Sequence, residues 1–410
     1  MKPISPSLGI STLVNHAGEG DHPLHSHAMP IFETSTFEFE DAAAGAALFK
    51  GEGEGFIYTR LGNPNLTLLA DKIAVLEGLD LLRAAPERNP DEVVAGMVFS
   101  SGMAAVVTTI LSKVKQGQSI VAHESIYGTT YTFLRQFAPR YGINVVWTKG
   151  AAAPDFEEAC SRASNLALVL AETPANPVLT LVDLETVAGI SHSHGAWLAV
   201  DNTFATPYCQ RPLTLGADIV IHSTTKYLSG HGLIIGGAVV SRHPAYIQNE
   251  LNKHAVHLGG VPSPFDTWLT NIGLKTFELR MRAHCENAQK VAGFLESHPG
   301  VQRVYYPGLE SHPDRAIAQK QMLAPGGMIA FELKGGYAAG VDLLNRVKIA
   351  SLAVSLGNTD TLVSHPASMS HVNMPAEIRR QTGVGDGLVR LSVGVENVED
   401  IISDLDQAIS

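Results

Sequence analysis

Short apolar segments alternate with helical patterns through the middle of the chain, and this alternation limits the possible folds more than any other feature of the sequence. The apolar segments predict buried strands at Val93–Ser101, Ser119–Ala122, Asn144–Thr148, Leu166–Ala171, Trp197–Val200, Ile219–Ile221 and Ala238–Ser241. Strands that alternate with helices are typical of a mainly parallel, doubly wound sheet of the α/β class. We therefore predict a large α/β domain at residues 63–277.

Two further parts are predicted, because a chain of 410 residues is too long for one ordinary compact domain. Residues 1–62 contain frequent glycine and proline and predict an irregular N-terminal arm. Residues 278–410 combine a long helical pattern, Leu279–Leu295, with the predicted strands Gly327–Leu333 and Leu388–Val393. This mixture predicts a smaller C-terminal α+β domain.

A lysine stands at the end of the predicted strand Ile219–Ile221, in the run S-T-T-K-Y-L-S-G-H-G that begins at Ser223. Burial at a strand end can lower the pKa of the Lys226 amine, which can then attack a carbonyl compound and form a Schiff base. The hydroxyls of Ser223 and Thr225 can donate hydrogen bonds to a phosphate. A lysine at a turn is more often a solvated surface residue, so the interpretation depends on the neighbouring strand ends.

Two neighbouring strand ends favour the functional interpretation. Asp201 closes the apolar run Trp197–Val200, and ligands of open α/β sheets bind beyond the carboxyl ends of strands, so Asp201 and Lys226 are predicted to face one crevice. A carboxylate there can keep a pyridine nitrogen protonated, as pyridoxal phosphate (PLP) requires; the alternative is that Asp201 begins a turn. Gly102 and Met103 follow another strand at a helix N-terminus, which predicts an anion site of backbone N–H groups.

In this order the motifs resemble the Cys/Met-metabolism family of PLP enzymes, which contains cystathionine γ-synthase, the cystathionine lyases, methionine γ-lyase and the homoserine-ester sulfhydrylases. The matching motifs are Tyr58–Asn65, Ser100–Ala105, Tyr127–Thr130, Glu172–Pro177, Val200–Phe204, Ser223–Gly232, Ala353–Gly357, His365–His371 and Gly387–Gly394. The resemblance covers nearly the whole chain. It implies a PLP-dependent transferase of fold type I.

The resemblance also implies cofactor contacts. Lys226 would bind the cofactor aldehyde covalently and later move protons, and Asp201 would pair with the ring nitrogen. Asn176 would contact the ring's 3-oxygen, and Tyr127 would stack on the ring. The residues implied for the phosphate are Gly102, Met103, Ser223, Thr225, Tyr58 and Arg60. In this family the last two come from a neighbouring subunit, which implies homo-oligomers, with a tetramer built from dimers that share active sites.

Substrate contacts are implied at both ends of an amino acid. Arg390 and the backbone near Ser355 would bind the α-carboxylate, and Tyr127 would act as acid and base at the γ-position. Without the resemblance, Arg390 would be interpreted as a solvated strand arginine and Tyr127 as a core aromatic. Tyr58 and Arg60 would similarly be an exposed loop pair.

The implied reaction is γ-elimination or γ-replacement on γ-substituted L-amino acids. Val354 stands where the cystathionine enzymes usually carry Glu, which favours a methionine γ-lyase-like carbon–sulfur lyase that forms 2-oxobutanoate and ammonia. Thr129 stands where methionine γ-lyases generally have Cys, and Val261–Thr276 is more similar to the cystathionine enzymes. A cystathionine γ-synthase or γ-lyase, an O-acyl-homoserine sulfhydrylase, or a γ-lyase with an oxygen or nitrogen leaving group is therefore the alternative.

Composition excludes several other classes. A net charge of -11 argues against a nucleic-acid surface, and no apolar run approaches membrane-spanning length. Three cysteines without C-x-x-C spacing suit a reducing compartment, so we expect a cytoplasmic protein. A nicotinamide dehydrogenase would need G-x-G-x-x-G after a strand, which is missing, and a non-catalytic scaffold would be expected to lack Lys226, Asp201 or Arg390.

Two segments have no assigned function. The arm carries His16, His22, His25 and His27, whose spacing could bind a metal but fits no helix or strand face, so we predict a mobile arm and no metal. The stretch Leu81–Glu92 is longer than the family usually has and predicts a surface loop.

Overall fold

The computed structural model describes residues 5, 7–20, 22–369 and 384–409. Its larger sheet has seven strands in the order β1-β7-β6-β5-β4-β2-β3. The strands are β1 Ala95–Phe99, β2 Ser119–Ala122, β3 Asn144–Trp147, β4 Leu166–Glu172, β5 Trp197–Asp201, β6 Ile219–His222 and β7 Gly237–Ser241. Strand β7 is antiparallel to β1 and β6, and the other neighbouring pairs are parallel. The predicted mainly parallel α/β sheet is confirmed.

Helices cover both faces of this sheet. The helices of the described chain are α1 Ile10–His16, α2 Ala42–Lys50, α3 Pro64–Glu77, α4 Leu79–Ala84, α5 Pro90–Val93, α6 Gly102–Lys113, α7 Gly128–Thr132, α8 Ala153–Arg162, α9 Leu184–Ser193, α10 Thr206–Cys209, α11 Asn252–Leu258, α12 Pro264–Leu274, α13 Phe277–Ser297, α14 Arg315–Gln321, α15 Gly336–Arg346 and α16 Val398–Ile409. Short 3-10 or π turns lie at Pro23–His25, Phe133–Phe137, Ala138–Tyr141, Pro212–Leu215, Tyr246–Leu251 and Pro366–Ser368.

Strand β6 is buried on both faces. Val220 packs in the core that contains α3, whereas Ile219 and Ile221 pack on the opposite side with α6. A strand covered on both sides is apolar at successive positions, which explains why this segment is a continuous apolar run in the sequence. Because β5 and β6 are parallel neighbours, their carboxyl ends lie side by side at one edge of the sheet.

The second sheet has five strands in the order β10-β11-β12-β9-β8. Its strands are β8 Val301–Tyr305, β9 Met328–Leu333, β10 Ser351–Leu352, β11 Leu362–Ser364 and β12 Leu388–Ser392. Helices α13, α15 and α16 supply Leu295, Leu343 and Leu405 to its buried core. This is the mixed α and β arrangement predicted for the C-terminal part, and α13 extends the helix expected at Leu279–Leu295.

Two local predictions are wrong. The stretch Leu81–Glu92 is not one surface loop, because α4 and α5 occupy most of it and leave only residues 85–89 between them. Leu82 and Val93 are buried in the large core, and Asn89 caps the short helix α5 through the backbone N–H of Asp91. Helix α5 ends at Val93, so β1 is shorter than the predicted strand Val93–Ser101.

The N-terminal arm is also more ordered than predicted, because helix α1 packs against α3 and α13. Leu13 and Val14 are buried, and the Lys72 amine donates hydrogen bonds to the Val14 carbonyl (3.0 Å) and to Glu19 (2.8 Å). The prediction of a mobile arm is therefore wrong for this segment. A pattern of only seven residues carries too few apolar positions to reveal such docking.

Ser370 and His371, the last two residues of the motif His365–His371, lie outside the described residues. Within residues 5, 7–20, 22–369 and 384–409, no helix is long and apolar enough to cross a membrane.

Candidate active site

Lys226 lies just beyond the end of β6 and points toward a loop of the second sheet. Its Nζ atom donates a hydrogen bond to the Ser355 hydroxyl at 3.0 Å. Burial, together with the smaller effect of the nearby positive charge of Arg390, lowers the pKa of the amine to about 8. At pH 7 about one tenth of such an amine is neutral, compared with less than about 0.1% of an ordinary lysine. Lys226 therefore has the property that a nucleophilic lysine needs.

Asp201 is the last residue of β5 and lies beside β6. Its Oδ1 accepts a hydrogen bond from the backbone N–H of Thr203 at 3.0 Å. Burial raises the pKa of the carboxyl, and the hydrogen bonds from Thr203 act in the opposite direction. Because burial disfavours the charged form of this carboxyl, a protonated ring nitrogen beside it would stabilise the carboxylate, so Asp201 fits the pyridine partner that the sequence predicts.

The N-terminus of α6 lies directly against the loop that follows β6. The Ser101 hydroxyl caps this helix by accepting the Ala104 N–H at 3.0 Å. Gly102 is the first helical residue, and a Cβ atom placed on it would lie only 2.9 Å from the Ser223 Cβ. A side chain would fill this space, so glycine keeps the helix N–H groups and Ser223 open to one small anion.

Hydrogen bonds fix both Thr225 and Ser223 in the loop after β6. The Thr225 hydroxyl accepts the Gly236 N–H at 3.0 Å, and the Ser223 N–H donates to the Thr203 hydroxyl at 2.9 Å. The structure thus brings the predicted phosphate residues Gly102, Met103 and Ser223 to one edge of the sheet, with Thr225 on the same loop as Ser223. The lysine, the carboxylate and the anion cradle together fit PLP.

Arg390 connects the second sheet to this edge. It lies in β12, and its Nη1 donates to the Asn176 Oδ1 at 2.8 Å while its Nη2 donates to the Ser355 carbonyl at 3.2 Å. Burial lowers its pKa. The alternative of a solvated strand arginine is wrong, because the guanidinium contacts the same loop that holds the Lys226 amine. A fixed guanidinium suits a carboxylate ligand.

Tyr127 lies in the loop after β2, immediately before α7. Its side chain is 50% exposed, so the alternative of a buried core aromatic is wrong. Thr129, in α7, is also exposed, and Val354 is 66% exposed. These exposures leave all three side chains accessible to a ligand.

Tyr58 and Arg60 lie apart from the cradle in the arm. Tyr58 forms an isolated bridge with Thr36, and Arg60 donates from Nη1 to the Val256 carbonyl at 3.0 Å. The guanidinium lies 5.7 Å from the Tyr58 ring centre, and both side chains are exposed. Among the described residues no hydrogen bond joins either of them to Ser223 or Thr225.

Glu172 is a buried acid at this edge that is not among the site residues predicted from the sequence. It ends β4, next to Asp201 in register, and accepts the backbone N–H groups of Tyr127 (2.7 Å) and Asn176 (3.0 Å). Burial and, to a smaller extent, the Asp201 charge raise its pKa to about 8, against the opposing effect of the two N–H donors and Arg390. The sequence contains a feature that could have identified Glu172, because it begins the motif E-T-P-A-N-P at the end of an apolar run, as Asp201 ends another.

The fold and site define a PLP-dependent enzyme. The chain belongs to the family of Cys/Met metabolism PLP-dependent enzymes, whose sequence model matches residues 11–410. It is 47% identical to an L-methionine gamma-lyase of Fusobacterium nucleatum subsp. nucleatum over 98% of each chain. It is 39% identical to a cystathionine gamma-lyase of Bacillus subtilis over 97% of this chain and 98% of the relative. The solved cystathionine gamma synthase of Xanthomonas oryzae pv. oryzae matches with a TM-score of 0.89 and 36% identity over 98% of each chain.

Proposed function

We propose that the protein catalyses γ-elimination on γ-substituted L-amino acids as a methionine γ-lyase-like carbon–sulfur lyase, forming 2-oxobutanoate and ammonia. The observation that carries this proposal is the meeting of Lys226 and Arg390 at Ser355. It brings a basic amine and a guanidinium suited to a carboxylate to the same residue, and the reaction needs both groups at the α-carbon of an amino acid. The 47% identity to an L-methionine gamma-lyase supports the particular substrate class.

The cofactor would occupy the edge formed by β4, β5 and β6. Lys226 would hold its aldehyde, Asp201 its ring nitrogen, Asn176 its ring oxygen and Tyr127 its ring face. Its phosphate would contact Gly102, Met103, Ser223 and Thr225. When bound, PLP supplies an electron sink that stabilises negative charge at the substrate α-carbon.

The remaining chemistry belongs to side chains of this protein. The Lys226 amine has a pKa of about 8, so in mildly alkaline solution it is neutral often enough to accept the α-proton. Ser355 holds that amine through its hydroxyl, while its carbonyl fixes the guanidinium of Arg390. The exposed phenol of Tyr127 can donate a proton to the departing γ-substituent at the mouth of the site.

The alternative is a cystathionine γ-synthase or γ-lyase, an O-acyl-homoserine sulfhydrylase, or a γ-lyase that releases an oxygen or nitrogen group. The 39% identity to a cystathionine gamma-lyase supports it. Val354 favours the leading proposal, because an exposed apolar side chain offers no carboxylate to a distal ammonium group. Thr129 supports the alternative, because the resemblance leads us to expect Cys at this position of a methionine γ-lyase.

A substrate panel tests the proposal. L-methionine, L-homocysteine, L-cystathionine, O-acetyl- and O-succinyl-L-homoserine are compared, with and without added thiol, by kcat/KM for 2-oxobutanoate and for replacement product. We expect a higher kcat/KM for methionine than for cystathionine. The difference should correspond to only about 1–3 kcal/mol, because no charged group is proposed to bind the γ-substituent. A kcat/KM far higher for cystathionine would contradict the proposal.

Val354→Glu tests the physical argument for this preference. It should raise the kcat/KM for cystathionine relative to methionine, because a carboxylate can pair with the distal ammonium. Leu352→Glu is the matched control, since Leu352 is also an exposed apolar residue, two positions away. Equal effects of the two substitutions would show that Val354 does not face the γ-substituent.

We propose further that Tyr58 and Arg60 complete the phosphate site of a second subunit. Their exposure and their separation from Ser223 support this arrangement. Mixing the inactive variants Lys226→Ala and Arg60→Ala should restore part of the activity through hybrid dimers, because one site in each hybrid is intact. No recovery after confirmed subunit exchange would contradict shared sites. Assembly into a tetramer, cytoplasmic residence and the domain limits at residues 62 and 277 stay predictions.

A further inference from the structure

Glu172 is buried at the same sheet edge as the proposed cofactor residues. It is only 5% exposed, and strands β4 and β5 place it directly beside Asp201. Neighbouring residues in register on parallel strands direct their side chains to the same face of the sheet. Glu172 therefore lies on the face from which Asp201 would meet the cofactor ring.

The two oxygens of the Glu172 carboxylate bind two different loops. Oε2 accepts the backbone N–H of Tyr127 at 2.7 Å, and Oε1 accepts the backbone N–H of Asn176 at 3.0 Å. Tyr127 begins the segment that leads into α7, whereas Asn176 lies in the loop after β4. One rigid carboxylate therefore fixes the distance between the residue proposed to cover the ring face and the residue proposed to contact the ring oxygen.

The strand end that carries Glu172 is itself anchored. Its backbone N–H donates to the Nε2 atom of His123 at 3.0 Å, and His123 is fully buried just beyond the end of β2. Burial lowers the pKa of His123 to about 4, so the ring is neutral and can accept this hydrogen bond. The ends of the neighbouring strands β2 and β4 thus share one connected set of hydrogen bonds.

We propose that Glu172 is a positioning residue that holds Tyr127 and Asn176 in register with the cofactor ring. This inference rests on the proposed function, since it assigns a role relative to bound PLP. Glu172 does not contact the reacting atoms itself. It acts through two backbone N–H groups, and its separation from the solvent keeps those hydrogen bonds strong.

The charges around the carboxylate agree with this role. Asp201 is the nearby anion that disfavours a second negative charge, whereas Arg390 and the two N–H donors favour it. His123 adds no charge because its ring is neutral, and Tyr127 faces the carboxylate with its backbone N–H. A protonated ring nitrogen beside Asp201 would reduce the repulsion between the two carboxyls, so cofactor binding would strengthen the ionised form of Glu172 that accepts from both loops.

Glu172→Gln tests the role with minimal change of shape. The amide keeps one acceptor oxygen but presents an NH₂ group to the other N–H, so it can hold only one loop. Asp404→Asn is the matched control, because Asp404 also accepts backbone N–H groups (Lys348, Ile349 and Ala350) but lies in α16, and none of these donors is a residue proposed to contact the cofactor. Glu172→Asp provides a second variant that keeps the charge and shortens the reach.

Three measurements separate positioning from folding: the PLP dissociation constant at pH 8.5, the circular dichroism of the bound-cofactor band, and the thermal unfolding of each apo-protein. We expect Glu172→Gln to weaken PLP binding about tenfold and to change the dichroic band, because one charge-assisted hydrogen bond is lost. Glu172→Asp should show a smaller loss. Asp404→Asn should lower the unfolding temperature and leave both cofactor measurements unchanged.

The opposite results overturn the inference. PLP affinity within twofold of wild type and an unchanged dichroic band in Glu172→Gln would show that the carboxylate does not position the ring contacts. Failure of both Glu172 variants to fold would make the carboxylate a folding requirement and would also overturn it. If the wild-type protein binds no PLP, the proposed function fails instead, independently of Glu172.

Discussion

Lys226 should react as a neutral amine at a much lower pH than an ordinary lysine. Burial lowers its pKa from 10.5 to about 8, with a further contribution from the Arg390 charge. At pH 8 about half of the Lys226 amine is neutral, compared with about 0.3% of an ordinary lysine, which is a difference of more than about 100-fold. Since the neutral amine is the nucleophile, the same factor applies to its rate of reaction with an aldehyde.

The assay follows PLP capture by the apo-protein. Stopped-flow absorbance from pH 6 to 10 should show a rate that rises about tenfold per pH unit and levels near pH 8. Arg390→Met should move this midpoint to higher pH, because it removes the nearby positive charge. Arg303→Met is the matched control, since Arg303 is an exposed arginine of the same sheet, in β8, and its replacement should leave the midpoint unchanged.

Two results would refute this reasoning. A rate that continues to climb through pH 10 would show that Lys226 has the pKa of an exposed lysine. An unchanged midpoint in Arg390→Met would show that desolvation acts alone. In either case the meeting of Lys226 and Arg390 at Ser355 would not determine the pKa of the amine.

Other predictions follow from the arm and the cradle. Lys72→Met should cost about 3 kcal/mol in urea unfolding, because it removes the buried cation 2.8 Å from Glu19 and leaves only Lys275, at 3.4 Å, to pair with that carboxylate, whereas Lys320→Met, at an exposed ion pair, should cost less than about 1 kcal/mol. Although burial alone would raise the pKa of Glu19, Lys72, with smaller effects of Asn271 and Lys275, lowers it to about 2. The stability from these contacts should be complete above pH 4.5 and disappear as the pH falls through 2, and a flat acid profile would contradict it. Gly102→Ala should weaken PLP binding and also lower apo-protein stability, because its Cβ would lie 2.9 Å from the Ser223 Cβ and the loop would have to shift; unchanged affinity in a PLP titration would place the phosphate elsewhere.

The local parts of the site were predictable from the sequence, because they depend on strand ends. Lys226 and Asp201 each follow an apolar run, and parallel strands bring such ends together without any knowledge of the rest of the chain. The resemblance to a known family supplied the candidates that are remote in sequence. The contacts among them were not predictable from pattern alone.

The contact between Arg390 and Asn176 joins residues 214 positions apart, one in β12 of the second sheet and the other in the loop after β4 of the first. No periodicity encodes that distance, since it depends on how the second sheet packs. Glu172 was missed for a different reason, because a single acid in a proline-containing motif is usually interpreted as part of a turn. Its two hydrogen bonds are to backbone groups, which carry no sequence signal.

The most direct test of the account is to locate the cofactor on the chain. The purified protein is loaded with PLP, reduced with borohydride, digested and mapped by mass spectrometry. The account predicts that the yellow colour bleaches and that the pyridoxyl adduct lies on the peptide containing Lys226, with no adduct in Lys226→Ala. An adduct on another lysine, or an equal adduct in Lys226→Ala, would contradict the assignment of the active site.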